Sequence, residues 1–187
     1  PALIFSEGGE WDETAEFWET RECLSWLYNE APNRDEVVVN DRWCLGMPGK
    51  HGDYFSSEYQ DAELSVSHSW EESRGVGGSY GFNRAENLAD YRTSAELVHE
   101  LIDVVSRGGN FLLNVGPTAD GRIPVIQQQR LADIGDWLRV NGEAIYGSAA
   151  GKPGQWTGPE GVRFTRRGDE LFVICPKWPE EPLVVKG

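Results

Sequence analysis

The segment Gly108 to Pro124, GGNFLLNVGPTADGRIP, constrains the fold more than any other stretch of the chain. An apolar run, Phe111 to Val115, passes without a spacer into a Gly-Pro-Thr-Ala-Asp-Gly turn. Short apolar runs bounded by turn residues read as strands covered on both faces, as in a parallel sheet. Pro124 suits the first turn of the helix that follows, where its missing N–H is not needed. Ile126, Leu131, Ile134 and Leu138 give that helix an apolar face, and Gly142 in NGEAIYG ends it. In a barrel of parallel strands, active-site groups lie where strand turns toward helix. Polar Asn114 inside the run and Gly116-Pro117 after it therefore mark a candidate functional edge.

The remainder of the chain repeats this alternation. Ala2 to Ser6 reads as a buried parallel strand, and Thr14 to Asn29 as a helix through Ala15, Trp18, Leu24 and Leu27. Val37 to Val39 is a second strand, ending in Asn40-Asp41. Cys44 to Gln60 reads as one long Gly-rich loop, a common location for function. Gly77 to Phe82 is expected to hold a short strand. Thr93 and Glu96 form a capping box for a helix through Leu97, Val98, Leu101, Ile102 and Val105, with Gly108 as its left-handed stop. This order predicts an α/β fold with a parallel sheet. After Gly147 the character changes. Residues 151–160 read as a Gly/Pro linker. Residues 161–187 hold three β segments: Val162 to Thr165 and Leu171 to Cys175 around a turn at Arg166 to Asp169, then Leu183 to Lys186. The expected domains are 1–150, the 151–160 linker and 161–187.

Composition narrows the function classes. With 187 residues and a hydrophobic fraction of 39%, the chain can build an ordinary globular core. No apolar run reaches the ~18 residues of a membrane span. No leader is visible, and Pro1 runs directly into the first strand, as if the chain starts mid-domain. A net charge of −14 repels phosphate backbones and anionic membranes, so neither nucleic acid nor membrane is an expected partner. Neutral glycans are compatible with it. Cys23, Cys44 and Cys175 lack paired spacing and read as free thiols. His51, His68 and His99 show no ligand spacing, so no metal is expected, and no phosphate loop or nucleophile elbow points to a cofactor. Of the eight tryptophans, Trp18 and Trp137 fall at helical apolar spacings and read as core.

The informative polar residues are acids placed just after strands. Glu7 follows the first strand, Asp41 the second, and Glu58 lies on the loop beyond. Glu16, Glu19, Asp103 and Asp136 fall on helical faces, where solvation is the default. Two carboxyl groups ~5–5.5 Å apart are what glycoside hydrolysis with retention requires.

The segments LIFSEGGEW, NDRW, SSEY, WEES, GSYGFN, GGNFLLNVGPTADG and NGEAIYG together resemble those of retaining α-L-fucosidases over nearly the whole chain. The resemblance implies the later strands and helices of a (β/α)8 TIM-type barrel, followed by the first strands of a β-sandwich domain. The remainder of the barrel would lie upstream of residue 1. It implies release of α-L-fucose from fucosylated oligosaccharides or glycoconjugates, with no cofactor, in a secreted, periplasmic or lysosomal setting. Glu7 occupies the nucleophile position, where the family has aspartate, and one extra residue precedes Trp11. Glu10 is a second, weaker candidate. Glu58 matches the acid/base, with Tyr54, Phe55 and Tyr59 as aromatic neighbours. Arg42 matches an arginine that contacts fucose and the nucleophile region. Tyr80 matches an aromatic group that packs on the sugar's methyl face, and Trp70-Glu71 the family's Trp-Glu pair. Because Glu7 replaces aspartate, a non-catalytic or weakened fucose- or glycan-binding relative is the alternative reading. A different barrel hydrolase sharing only the architecture is a third, against which the joint motifs argue.

Overall fold

The computed structural model describes residues 2–7, 12–59 and 68–187, which form two compact units parting between Glu71 and Glu72. Gly8, Gly9, Glu10 and Trp11, on which the reading of an extra residue rests, lie outside the described residues, as does Gln60.

In the first unit, strand β1 (Leu3–Ile4) pairs in parallel with β2 (Val38–Val39), Leu3 opposite Val38 and Ile4 opposite Val39. Parallel neighbours need a crossover, and helix α1 (Thr20–Asn29) supplies it. Leu27, Ala31, Val37 and Val39 form the core, with Ile4, Leu24 and Trp43 packed against them. Strand β3 (Phe55–Glu58) follows, and the Phe55 N–H donates to Ser69 O at 2.9 Å, just before β4 (Trp70–Gly75). Three expectations change here. The helix expected from Thr14 starts only at Thr20, because Glu19 has a φ of 50°, a left-handed backbone that cannot continue a right-handed helix. The Thr20 hydroxyl instead turns inward to Trp43 O at 3.2 Å. Trp18, ahead of this break, is 43% exposed and meets Phe17 edge-on, so it is not core. The long loop also contains β3, whose sequence FSSE carries no apolar alternation to announce it.

In the second unit, β4 lies beside β5 (Gly109–Asn114), and helix α2 (Ser94–Ser106) connects them. The capping box forms as expected: Thr93 Oγ1 accepts the Glu96 N–H, and the Glu96 carboxylate accepts the Thr93 N–H. Gly108, at φ 85°, stops the helix. Helix α3 (Val125–Asn141) has Pro124 at its N-cap, one place before the first turn. Val98, Ile102 and Ile145 form the core, joined by Leu101, Val105, Ile134, Trp137, Leu138 and Ile174. Strands β6 (Arg163–Arg167) and β7 (Glu170–Ile174) make an antiparallel hairpin, with Gly168 at φ 60° in its turn. The hairpin shares the helical core through Ile174, and the Thr165 hydroxyl donates to Ala144 O at 2.7 Å.

Two strand expectations fail in this unit. Gly77 to Phe82 is a loop wrapped on the Glu86 carboxylate, which accepts the Ser79 N–H at 2.7 Å. Its glycines favour such a path over a ladder. The strand lies earlier, in β4, where the residues from Glu72 on cover a polar face. Glu72 is 2% exposed, and Arg74 Nε lies 2.7 Å from Glu72 Oε1 and 2.9 Å from Glu100 Oε1. Arg92 closes the network on Glu100 Oε2 at 2.6 Å. Burial raises the Glu100 carboxyl above its ordinary range, while Arg74 and Arg92 pull it back. Buried charges of this kind persist only when paired. Leu183 to Lys186 forms no strand. Lys186 makes a single bridge to Thr157, and Pro179 and Pro182 deprive the approach of N–H donors. Cys23, Cys44 and Cys175 are free, with Cys44 buried. Among the described residues, no helix is long and apolar enough to cross a membrane.

Candidate active site

The parallel pairing of β1 and β2 brings their C-terminal ends to one edge, and the residues that follow each strand meet there. Asn40 begins the assembly. Its Nδ2 donates to Ser6 O and its Oδ1 accepts the Ser6 N–H, both at 2.8 Å. The side-chain amide thus adds one more rung where the backbone ladder stops, and Asn40 is fully buried. Ser6 is the residue before Glu7.

Arg42 lies at the centre. Its Nη1 donates to Glu7 Oε2 and to Glu58 Oε2, each at 3.1 Å. The two facing oxygens therefore lie no farther apart than twice that distance. The guanidinium side chain is 7% exposed, whereas those of Glu7 and Glu58 are 48% and 31% exposed. A buried cation is capped by two acids that reach solvent. Like charges at this separation repel, and the guanidinium between them offsets the repulsion. Its other side lies over the Phe5 ring, 5.9 Å from the centroid. Arg42 Nε donates to Ser56 Oγ at 2.9 Å.

Asp41, 1% exposed, faces the other way and staples the loop. Its Oδ1 accepts from Ser56 N at 2.9 Å and Ser56 Oγ at 2.7 Å, and its Oδ2 accepts from Gly49 N at 2.7 Å. Tyr54 is buried nearby, and among the described residues its hydroxyl has no hydrogen-bond partner. Burial, reinforced by the Glu71 and Asp41 charges, pushes its phenol up to about 12. Burial also raises the Glu71 carboxyl. The Phe55 ring packs against His68, with centroids 4.0 Å apart, and Tyr59 has a left-handed backbone at φ 50°.

Arg42 thus contacts both Glu7 and Glu58, and all three are residues singled out from sequence. Trp70 is 1% exposed and fills interior space. Tyr80 belongs to the second unit, where it is 36% exposed and its hydroxyl is hydrogen-bonded to Ser73 Oγ. Asn114, the polar residue in the apolar run, donates from Nδ2 to Tyr80 O at 2.6 Å. Gly116 is where the chain passes closest to that loop: a Cβ there would lie 2.4 Å from Phe82 N. The Gly116 N–H is held by Gln127 Oε1 at 3.0 Å. The candidate functional edge read from GGNFLLNVGPTADG thus holds the Tyr80 loop in place. A cavity of about 590 Å³ in the second unit, lined in part by Ile102, Trp137, Phe172 and Trp178, has no paired carboxylates and is unconnected with this chemistry. No group of three metal-ligating side chains occurs among the described residues. Sequence reasoning overlooked Asn40 and Ser56 as site residues; their signals were their places at the start of NDRW and in SSEY.

The family model described as "Alpha-L-fucosidase" matches residues 1–143. An alpha-L-fucosidase of Branchiostoma floridae is 40% identical over 189 residues, covering 100% of this chain and 42% of the relative. The tissue alpha-L-fucosidase of Homo sapiens is 42% identical over 183 residues, covering 96% of this chain and 39% of the relative. The chain thus spans about two fifths of the length of these curated relatives. The crystal structure of Thermotoga maritima alpha-fucosidase with a mechanism-based inhibitor superposes with a TM-score of 0.69 at 40% identity, covering 83% of this chain and 34% of that one. A family match over most of the chain, together with relatives and a solved structure at this level of identity, establishes that the chain belongs to the α-L-fucosidase family.

Proposed function

We propose that the full-length protein is a retaining exo-glycosidase that releases α-L-fucose from fucosylated glycans by double displacement. The observation that carries this reading is the shared contact of Arg42 Nη1 with Glu7 and Glu58. Facing oxygens held within twice 3.1 Å on one nitrogen place the two acids close enough to act on the same sugar carbon, as double displacement requires. In the first step the Glu7 carboxylate attacks the anomeric carbon, and Glu58 gives its proton to the departing glycosidic oxygen. In the second, Glu58 takes a proton from water as that water attacks the anomeric carbon and frees Glu7. Arg42 holds both acids in place.

Tyr80 is proposed to lay its ring against the apolar side of fucose, and Trp70 to support the site from beneath by packing. The chain is proposed to supply the later strands and helices of a (β/α)8 barrel over 1–150, a linker at 151–160 and the start of a β-sandwich domain from 161. One solved relative, from Thermotoga maritima, is in complex with fucose, which supports fucose as the sugar recognised.

One feature favours a second reading, a fucose-binding relative without turnover: glutamate stands at position 7 where the family has aspartate. A mechanism-based fluorofucoside given to the full-length protein separates the two. Covalent label on Glu7 and a product of retained configuration support the enzyme. Inverted product or label elsewhere refutes it, and fucose binding with no turnover selects the binding relative.

A further inference from the structure

We propose that Asp41, acting through the Ser56 hydroxyl, is the positioning group that sets Arg42 between the two acids. The inference rests on the catalytic reading above and deepens it. Arg42 is covered, and its Nη1 must serve two carboxylates at once. A guanidinium on a flexible stem would pivot toward whichever acid is nearer unless its far end is held. Such a hold is provided at Nε, which donates to Ser56 Oγ at 2.9 Å. Arginine has no acceptor, so the hydroxyl must accept there, and its own proton goes to Asp41 Oδ1 at 2.7 Å. The direction of the whole chain, Arg42 to Ser56 to Asp41, is thereby forced. Asp41 cannot swing away, because Ser56 N and Gly49 N hold both of its oxygens. At 1% exposure no solvent competes for it.

The arrangement separates a positioning role from a merely structural one. Ser56→Ala deletes the hydroxyl but leaves the Ser56 N–H and Gly49 N–H on Asp41, so the loop keeps its backbone staples. Ser56→Thr keeps a hydroxyl on a β-branched residue suited to a strand. Neither residue touches the reacting atoms, so the effect should fall on kcat.

The test is kinetic, on full-length enzyme, with an aryl fucoside and fluorofucoside labelling. Ser56→Ala is expected to lower kcat roughly tenfold to a hundredfold, as small misplacements of catalytic groups do, with KM changed far less. Ser56→Thr should restore most of the loss. In an Arg42→Lys background, which lacks Nε, Ser56→Ala should add no further loss, since the contact it removes is already gone. Parent-like turnover of Ser56→Ala, equal loss in Ser56→Thr, or full additivity with Arg42→Lys overturns the positioning role while leaving the catalytic reading intact. Label on a residue other than Glu7 in the parent overturns the catalytic reading, and this inference with it.

Discussion

The Asn40 side chain grips the Ser6 backbone from both sides, donating to its carbonyl and accepting its N–H at 2.8 Å each. This prolongs the β1–β2 ladder by one rung and delivers Glu7 to the site edge at a defined height. Asn40→Leu conserves bulk but removes both hydrogen bonds to the Ser6 backbone. We expect a loss of about 1–3 kcal/mol in urea denaturation of the full-length protein. A fall in kcat should accompany it, because Glu7 follows directly. Unchanged stability and turnover would show that Ser6 needs no anchor.

Glu58, the last residue of β3, is partly open to solvent beside Arg42. As acid/base it should matter most when the leaving group needs a proton. Glu58→Ala is expected to cut turnover by about 10²–10⁴-fold for poorly activated fucosides and far less for activated aryl fucosides. A set of aryl fucosides of graded leaving-group acidity checks this. An equal loss across the set would remove Glu58 from the role.

Gly116 and Gly135 should respond to alanine with opposite signs. A Cβ at Gly116 would meet Phe82 N at 2.4 Å and Gly81 C at 2.6 Å, both backbone atoms that cannot turn aside. Overpacking here should cost about 1–3 kcal/mol and raise KM for fucosides as the neighbouring Tyr80 loop shifts. A Cβ at Gly135, within α3, meets nothing within 4 Å. Gly135→Ala should therefore stabilise by about 0.5–1 kcal/mol. Thermal melts of the two variants together with fucoside kinetics decide it.

Tyr54 gives a pH dependence of known sign. Its phenol is pushed up to about 12 in the folded chain, first by burial and then by Glu71 and Asp41. Unfolded, it ionises near ~10. Since the folded value is the higher, the contribution is fully present below the unfolded value and is lost as pH rises from there through the folded one. Tyr54→Phe should flatten the decline in stability over that window, leaving the part due to Tyr28, whose phenol is raised by burial and by Asp53. Because the Tyr54 hydroxyl has no partner among the described residues, the variant should be no less stable at neutral pH. A decline as steep as the parent's, in denaturation followed against pH, would refute this.

Much of the frame was legible without coordinates. The apolar runs before Asn40 and through Phe111, the Thr93–Glu96 capping box, the Gly108 stop and the β6–β7 turn all depend on neighbours a few residues away. Local backbone rules act at that range, so the sequence carries them directly. Glu7, Arg42 and Glu58 were also named, because acids and a cation placed just beyond strands matched a family pattern.

Tertiary structure decided what local rules cannot reach. Periodicity extended α1 to Thr14, but the bond from Thr20 to Trp43 and the left-handed Glu19 cut it short. β4 is a polar strand that no apolar run announced, and it is held by Arg74 meeting Glu72 and Glu100, the latter supplied by another element. Asn40 and Ser56 were unremarkable letters until folding set them against Ser6 and Arg42. Glu7 stands 35 residues from Arg42 and Glu58 stands 16 from it, so only the packed chain could bring both acids onto one nitrogen. The sequence by itself determined where strands end and which acids follow them. The geometry that makes two acids and one arginine a site came from burial and long-range hydrogen bonds, which no local pattern encodes.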